Sequence, residues 1–168
     1  MGEGRRRLII VMGVSGCGKS TIAEGLAGAL GGRFFDGDHF HPQANIDKMS
    51  RGEPLTDEDR WPWLDALGAA APKTGRVVIA CSALRRVYRE RLAAAAGEGI
   101  AFIHMAGTKD LIAERMKTRS GHFMPPALMD SQFATLEPLE PDERGLTLNI
   151  ENAPEALIED ALRALKEI

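Results

Sequence analysis

The length, composition and charge of the chain already restrict what it can be. Its 168 residues are enough for one domain, which at that size buries about 70% of the surface of the unfolded chain, and 44% hydrophobic and 27% charged residues are typical of an ordinary globular protein. A formal net charge of −3 argues against nucleic acid as the main partner, because binding to a phosphate backbone needs a strongly positive face.

Five apolar segments alternate with helical patterns along the chain. The first, Leu8 to Met12, is apolar on both faces, which is typical of a strand buried in a parallel sheet. The next four strands are predicted at RFFDGD, RVVIACS, IAFIHMAG and LTLNI. Strands that are separated by helices favour right-handed crossovers, so we predict an α/β fold of three layers, α/β/α, around a five-stranded parallel sheet.

The segments between the strands carry helix signals, with one exception. Helices are predicted from the glycine-rich turn to Gly31, over 56–71, over 83–96, over 108–119, around 128–136 and from Pro154 onward. Pro62 either begins the regular part of the second helix or kinks it. The exception is the stretch 39–54, which we predict to be irregular apart from one helical turn around 46–49. We interpret it as an insertion that faces a substrate.

The glycine-rich segment GVSGCGKST directly follows the first predicted strand and precedes the first predicted helix. It fits the pattern G-x-x-x-x-G-K-[ST] of a P-loop. Its small residues let main-chain N–H groups and the free amides at the start of the helix surround a phosphate. The predicted nucleotide-binding residues are Gly13, Val14, Ser15, Gly16, Cys17, Gly18, Lys19, Ser20 and Thr21.

Two side chains of this motif add charge and a metal ligand. Lys19 places a positive charge against the β- and γ-phosphates, and the Ser20 hydroxyl can ligate Mg²⁺ that bridges them. The motif therefore predicts ATP and Mg²⁺, and the alternative is an ordinary glycine-rich turn. A GTPase switch is not favoured, because the segment NIDK only permutes the base-reading N-K-x-D motif.

Polar residues follow the second and third predicted strands, at the edge of the sheet where α/β proteins bind ligands. Asp36 and Asp38 end the second strand, and Ser82, Arg85 and Arg86 follow the third. A cation among them could clamp a carboxylate, and acceptors could bind hydroxyl groups.

Cysteine content and the N-terminus predict the cellular compartment. Cys17 and Cys81 form no CxxC pair, so the chain is expected to be reduced and intracellular. Five apolar residues near the N-terminus are too few for a signal peptide, and no window approaches the roughly 18 apolar residues of a membrane helix. We therefore expect a cytoplasmic protein with no membrane partner.

Four further segments make the chain recognisable. DGDHFHPQANIDKMSRGEPLTDEDRWPWL, ACSAL, RSGHFMP and SQFATLE closely resemble the thermoresistant-type gluconokinases, and with the P-loop the similarity spans about residues 8–168. The resemblance implies phosphorylation of D-gluconate at its 6-hydroxyl by ATP, in a fold similar to shikimate and adenylate kinases. It implies one kinase domain over 1–168, with a substrate-binding segment at about 38–71 and a mobile lid at about 115–135. Homodimers are common in the family.

The resemblance also assigns roles on the substrate side. Asp38 is the candidate that accepts or orients the attacking hydroxyl, and a turn aspartate is the alternative. Asp36 is a candidate to hold a water of the Mg²⁺ shell, with a capping role as the alternative. Arg60 could grip the substrate carboxylate or pair with Asp57 or Glu58 instead. The substrate-binding candidates are Asp38, His41, Arg60, Ser82, Arg85, Arg86 and His122, and whether Arg85 or Arg86 faces the substrate stays open.

On the nucleotide side, Arg115 and Arg119 lie four residues apart and so point the same way on one helix. By resemblance to similar kinases, Arg115 lies against adenine and Arg119 reaches the γ-phosphate, and an exposed basic face is the alternative. With Lys19 and Asp38, Arg119 completes the predicted catalytic set. Gly121 is the predicted pivot of the lid, which brings His122 to the site on closure.

Other residues are assigned to packing or to solvent. A metal site at His39 and His41 is not expected, because no further ligands lie at suitable spacing. His104 is predicted to lie in the core or at a strand end, and Arg89 and Arg91 are predicted to be solvated.

Two other functions stay open. One is a kinase of the same fold that acts on shikimate or a nucleoside monophosphate, and the other is a nucleotide-binding regulatory module without transfer.

Overall fold

Five parallel strands form the centre of the computed structural model, which describes residues 7–97, 99–118 and 126–166. The strands are β1 (Leu8–Met12), β2 (Arg33–Asp36), β3 (Val77–Ala80), β4 (Ile100–Ala106) and β5 (Gly145–Asn149). They pair in parallel in the order β2-β3-β1-β4-β5, which confirms the predicted sheet. The second strand is two residues shorter than predicted, because the chain enters a 3₁₀ turn at Gly37–Phe40.

Seven α-helices occur in the described part of the chain. They are α1 (Lys19–Leu30), α2 (Gln43–Ser50), α3 (Asp57–Ala69), α4 (Arg86–Ala96), α5 (Lys109–Thr118), α6 (Pro126–Thr135) and α7 (Pro154–Leu165). Gly31 ends α1 in a left-handed conformation, at φ 66°, and Pro154 lies in the first turn of α7. Both helix ends agree with the prediction from the sequence.

One prediction about the segment between β2 and β3 is wrong, and one of the two predicted roles of Pro62 is excluded. Where one helical turn was expected around 46–49, α2 forms two turns and begins directly after Pro42, a residue that is well suited to start a helix. Pro62 does not begin α3, which was one of the two roles predicted for it. The helix starts at Asp57 because Thr56 and Asp59 form a reciprocal capping box, and Pro62 lies inside it. Arg60 therefore belongs to the first turn.

The core consists of two apolar layers, one on each face of the sheet. Ile9, Val11 and Ile103 point to the face that α1, α5, α6 and α7 cover. Leu8, Ile10 and Phe102 point to the opposite face, which α3 and α4 cover through residues such as Leu64 and Leu92. Both alternating sets of each central strand are thus buried, as expected for a parallel sheet between helices. The predicted three-layer architecture is confirmed.

The carboxyl ends of the strands bring separate segments together at one edge. The N–H of Gly13, after β1, donates to the carbonyl of Ser82, after β3, at 3.2 Å. Gly37, after β2, packs so closely that an added Cβ would lie 2.7 Å from the Ala80 carbonyl oxygen of β3. The segments that follow β1, β2 and β3 therefore meet at this edge, which is where α/β sheets bind ligands.

Candidate active site

The phosphate loop, residues 13–18, connects β1 to α1 and has an almost bare main chain. Gly13, Gly16 and Gly18 have positive φ angles of 148°, 88° and 92°. A Cβ at Gly16 would lie 2.6 Å from the Met116 Sδ, whereas one at Gly18 would meet nothing within 4 Å. Glycine is thus required for the turn and for close packing, and the bare side at Gly18 faces open space at the start of α1.

Lys19 begins α1 and bends back over the loop. Its Nζ donates to the carbonyl oxygens of Gly13 at 3.0 Å and Val14 at 3.1 Å. Ser20 and Thr21 are exposed, so their hydroxyl groups are accessible at the helix start. Cys17 is buried, and burial raises the pKa of its thiol, so this residue offers its main chain rather than a thiolate.

Gln132 binds the phosphate loop from α6, a contact that the sequence did not reveal. Its Oε1 accepts from the N–H of Ser15 at 2.7 Å, and its Nε2 donates to the Ser15 Oγ at 3.0 Å. Gln132 belongs to the segment SQFATLE that carried the family resemblance, which was the available signal. The side-chain amide ties α6 to the loop.

Arg115 lies on α5 beside the same loop. Its guanidinium donates to the carbonyl oxygen of Ile150, just after β5. A cavity of about 180 Å³ is lined by Gly16, Cys17, Gly18, Thr21 and Arg115. The predicted residues Arg119 and His122, and the pivot Gly121, lie outside the described residues.

Asp36 and Asp38 flank the tightly packed Gly37. The Asp36 Oδ1 accepts from the N–H of Asp38 at 2.9 Å, so one oxygen of this carboxylate caps the 3₁₀ turn, as the alternative interpretation proposed. The Asp38 side chain is exposed and has no hydrogen bond or ion pair within the described residues. Its carboxylate is available to a ligand at the end of β2.

His41, Asn45 and Trp63 form what we call the histidine cluster. The rings of His41 and Trp63 are stacked, with centroids 4.2 Å apart and planes inclined by 14°. The Trp63 Nε1 donates to the Gly37 carbonyl oxygen at 2.8 Å, which fixes α3 to the turn that carries Asp38. Burial lowers the pKa of His41, the charge of Asp38 raises it, and Arg60 lowers it further.

Asp57, Arg60, Arg85 and Tyr88 form what we call the arginine cluster. The Asp57 carboxylate accepts from the Tyr88 hydroxyl at 2.7 Å and from Arg85 at 2.9 Å, and lies 3.7 Å from the Arg60 guanidinium. The hydrogen bond from Tyr88 contributes most to lowering the pKa of Asp57, and the hydrogen bond from Arg85 lowers it further. Both guanidinium groups lie over the Tyr88 ring, at 5.2 and 5.4 Å from its centroid.

The arginine cluster contains the pair that was the alternative interpretation of Arg60, its contact with Asp57. It also includes Asp57 and Tyr88, which the sequence did not single out. An aspartate in the first turn of a helix usually has a capping or dipole role. The sequence around Asp57 therefore did not indicate that it also contacts Arg85, 28 residues away.

Arg85 and Arg86 point to different places. Arg85 joins the arginine cluster and also lies 3.5 Å from Glu137. Arg86 pairs with Glu90, Glu140 and Asp142 instead, and these three carboxylates account for its raised pKa, with the hydrogen bond to Asp142 contributing most. The sequence does not distinguish the two arginines, but of the two only Arg85 contacts the segment 38–71 within the described residues.

Two further predicted residues lie at the end of β3. Ser82 is half-buried and uses its main-chain carbonyl to hold Gly13. Ala83, which follows it, is buried and has a positive φ of 44°, a conformation that is unusual for alanine. Ala83 is therefore a strained residue that lies in the chain between Ser82, which contacts the phosphate loop, and Arg85.

The prediction that Arg89 is solvated is wrong. Its side chain is 1% exposed, and Nε and Nη2 donate to the Glu143 carboxylate at 2.7 and 3.1 Å. Burial alone would raise the pKa of Glu143, but the hydrogen bonds from Arg89 and from the Glu140 N–H outweigh it and lower the pKa. Arg91 pairs with Asp65 on the surface, in line with its prediction. Helical spacing alone could not separate the two arginines.

His104 on β4 is buried, as predicted, and its Nδ1 has no hydrogen-bond partner within the described residues. Burial lowers its pKa, and the positive charge of Arg89 lowers it further. This imidazole is therefore held neutral in the core.

Comparison with known proteins adds family information to this geometry. A family model described as an AAA domain matches residues 8–139. The chain is 45% identical to a gluconokinase of Gluconobacter oxydans over 94% of its own length and 90% of the relative's. It is 40% identical to the thermoresistant gluconokinase of Escherichia coli, with 95% and 94% covered.

A solved structure agrees with this similarity. The crystal structure of a gluconokinase from Sinorhizobium meliloti superimposes with a TM-score of 0.88 at 44% identity, covering 97% of this chain and 93% of that one. The likeness therefore extends through the phosphate loop, the segment between β2 and β3, and α6.

Proposed function

The chain belongs to the gluconokinase family, and on that premise we propose that it transfers the γ-phosphoryl group of ATP to the 6-hydroxyl of D-gluconate. Similarity to gluconokinases over nearly the whole chain is the observation that carries the proposal. The products are 6-phospho-D-gluconate and ADP. The geometry supports it, because the phosphate loop and the two polar clusters meet at the same edge of the sheet.

The phosphate loop is the proposed site of the ATP phosphates. The N–H groups of Gly13 and Ser15 are engaged by Ser82 and Gln132, so the remaining main-chain N–H groups of the loop and those at the start of α1 are proposed to surround the anion. Lys19 exchanges its contacts with Gly13 and Val14 for the β- and γ-phosphates. The cavity beside Arg115 supports a contact of this arginine with the nucleotide. Arg119 is assigned to the γ-phosphate by family resemblance alone.

The residues present fit a Mg²⁺ ion that is bound mainly through the phosphates. The Ser20 hydroxyl is exposed at the start of α1, and Asp36 keeps one carboxylate oxygen that the turn does not use. Mg²⁺ usually takes one or two protein ligands, phosphates and waters. When bound, the ion neutralises the charge that develops on the phosphates.

Gluconate is proposed to bind between the histidine cluster and the arginine cluster, which together with Asp38 we call the substrate wall. A carboxylate fits the guanidinium groups of Arg60 and Arg85, and hydroxyl groups fit His41 and Asp38. Ser82 and His122 remain candidates for further contacts. Arg86 is the weakest of the predicted substrate residues, since its guanidinium is held by three carboxylates.

Phosphoryl transfer is proposed to be direct. Asp38 orients the attacking hydroxyl and accepts its proton, while Lys19 and Arg119 stabilise the charge on the transferred group. Because the transition state is loose, positioning and electrostatics supply most of the acceleration. Lid closure over 115–135 would exclude water and so prevent hydrolysis of ATP.

The oligomeric state and the compartment remain predictions. We propose a single kinase domain that works in the cytoplasm. We also propose that it forms a homodimer, as is common in the family. No helix in the described residues is long and apolar enough to span a membrane.

A substrate panel tests the proposed function. ADP release is measured with gluconate, glucose, shikimate and AMP as acceptors, and gluconate should give the highest kcat/KM. Preferred turnover of shikimate or AMP would assign the chain to another kinase activity. ATP binding without any acceptor-dependent release of ADP would favour a regulatory module.

A further inference from the structure

Asn45 is a buried polar residue for which the proposed function has no use. It is 3% exposed, although α2 is otherwise a largely exposed helix. Buried amides have to be hydrogen-bonded to offset the loss of water. The partners of Asn45 are the main-chain oxygen of Asp59 and the ring of His41.

The contact with Asp59 fixes which way the Asn45 amide points. The main-chain oxygen of Asp59 lies 2.8 Å from one terminal atom of the amide. A carbonyl oxygen can only accept, so that atom must be the Nδ2 and not the Oδ1. The orientation thus follows from chemistry.

The contact with His41 then fixes the state of the imidazole. The same Nδ2 lies 3.1 Å from the His41 Nδ1, and it can only donate. The Nδ1 must therefore present its lone pair, which leaves the proton of the neutral ring on Nε2. A protonated His41 would point an N–H group at an amide N–H and lose this bond.

The surroundings of the ring agree with a neutral imidazole. Trp63 of α3 covers one face, and burial opposes a positive charge. Arg60 of α3 also opposes it, and Asp38 of the 3₁₀ turn is the charged group that favours it. The Asp59 carboxylate is engaged by Lys48 at 2.7 Å and caps α3, so it does not compensate.

The Nε2 of His41 remains for a ligand. It has no hydrogen-bond partner in the described part of the chain. Since it is not one of the fully buried atoms without a partner, it is accessible from outside. We propose that Asn45 is a positioning residue that holds His41 as the Nε2–H tautomer, so that His41 donates a hydrogen bond to a hydroxyl of gluconate. Asp38 is then the proton acceptor of the pair. This inference rests on the proposed function only in naming gluconate as the molecule that accepts the hydrogen bond from His41.

The tautomer can be measured without substrate. Long-range ¹H–¹⁵N spectra of protein labelled at histidine nitrogens, recorded at pH 7.5, should show His41 with an unprotonated Nδ1 and a protonated Nε2. The His41→Gln variant identifies its signals. An imidazolium or an Nδ1–H tautomer at that pH would overturn the proposal, whatever the protein phosphorylates.

Kinetics test the consequence. Asn45→Asp offers only acceptors to the ring, so it should draw the proton of the neutral ring to Nδ1, and His41 could then donate from Nε2 only while the ring is protonated. The kcat/KM for gluconate should therefore fall on the alkaline side of the His41 pKa. The KM for gluconate should rise about three- to tenfold, as expected for one misplaced hydrogen bond, and the KM for ATP should not change. Ala44→Asp adds the same charge at the exposed neighbouring position and should leave the pH profile unchanged. Identical profiles for both variants would contradict the proposal.

A second pair of variants covers the case in which Asn45→Asp does not fold. His41→Gln keeps a donor, whereas His41→Met keeps only the bulk. We expect the methionine variant to have a kcat/KM for gluconate about three- to tenfold below that of the glutamine variant. Equal values would overturn the donor role. A wild-type protein without activity on gluconate would instead refute the proposed function and leave the tautomer result standing.

Discussion

The two sides of the proposed site are built from different parts of the chain. On the phosphate side, residues 13–18 offer main-chain groups, and three glycines have positive φ angles. On the substrate side, side chains from the 3₁₀ turn, α2, α3 and α4 hold one another in place. A main-chain site depends on a short local pattern, whereas a side-chain site depends on partners that are far apart in sequence.

The largest expected effect is on the phosphate side. Lys19→Met should lower kcat by at least about 100-fold, because it removes a charge aimed at the transferred group. The fold should survive, since the contacts of Lys19 in this structure are with two carbonyl oxygens of its own loop. Steady-state kinetics and thermal unfolding measure the two effects. The exposed Lys73→Met is the control, and a kcat within tenfold of the wild-type value would contradict the assignment.

On the substrate side, Asp57→Asn should raise the KM for gluconate roughly tenfold and leave the KM for ATP unchanged. The carboxylate receives hydrogen bonds from Tyr88 and Arg85, and an amide cannot accept both and still balance the charge of Arg60. Kinetics at saturating ATP give the measurement.

Asp65→Asn is the matched control for this variant. Asp65 pairs with Arg91 on the surface of α3, two helical turns beyond Asp57. If both variants changed the KM for gluconate equally, the arginine cluster would be a structural feature rather than part of the substrate wall.

Gln132 combines both kinds of contact, because its side chain binds the main chain of the phosphate loop from a distant part of the sequence. Gln132→Ala should raise the KM for ATP roughly fivefold, since the Ser15 N–H and hydroxyl lose their partner. Gln132→Glu should have a larger effect, because it places a negative charge beside the phosphates. Titration with ATP compares them, with Gln43→Glu on α2 as the charge control. A glutamate variant that bound ATP as well as wild type would separate Gln132 from the phosphates.

The smallest expected effect concerns pH and the core next to the site. His104 has a pKa below its ordinary value of 6.5. As the pH falls below 6.5, its imidazole therefore binds a proton in the unfolded chain while it stays neutral in the folded protein. Stability should therefore decrease below this pH, by up to about 1.4 kcal/mol per pH unit, until the pKa of the folded state is reached. His41 contributes in the same direction.

Thermal unfolding of wild type and His104→Leu at pH 7.5 and 5.5 measures this contribution. The Tm of the variant should decrease less on acidification than the Tm of the wild type. An equal loss would mean that the Nδ1 of His104 is not the group that responds.

The sequence predicted the strand, the glycine-rich turn and the helix that build the phosphate side. Residues 13–21 are contiguous, and the strand and helix around them have apolar periodicity that can be read directly. On the substrate side it singled out residues such as Asp38, His41, Arg60 and Arg85 but not the contacts that join them. Asp57 and Tyr88 are joined over 31 residues, and Asn45 reaches Asp59 over 14 residues as well as His41 over four. No local pattern encodes the longer pairs. For the same reason helical spacing could not show that Arg89 is buried or that Arg86 faces away from Arg85.

The most direct test of the whole account follows the phosphoryl group itself. ATP, Mg²⁺ and D-gluconate are incubated with the protein, and ³¹P NMR follows the γ-phosphate signal. We predict that it is replaced by a phosphomonoester signal coupled to the two protons on C6 of gluconate, with little inorganic phosphate. Inorganic phosphate as the main product, or an ester at another carbon, would contradict a site in which the gluconate 6-hydroxyl is held against the phosphate loop.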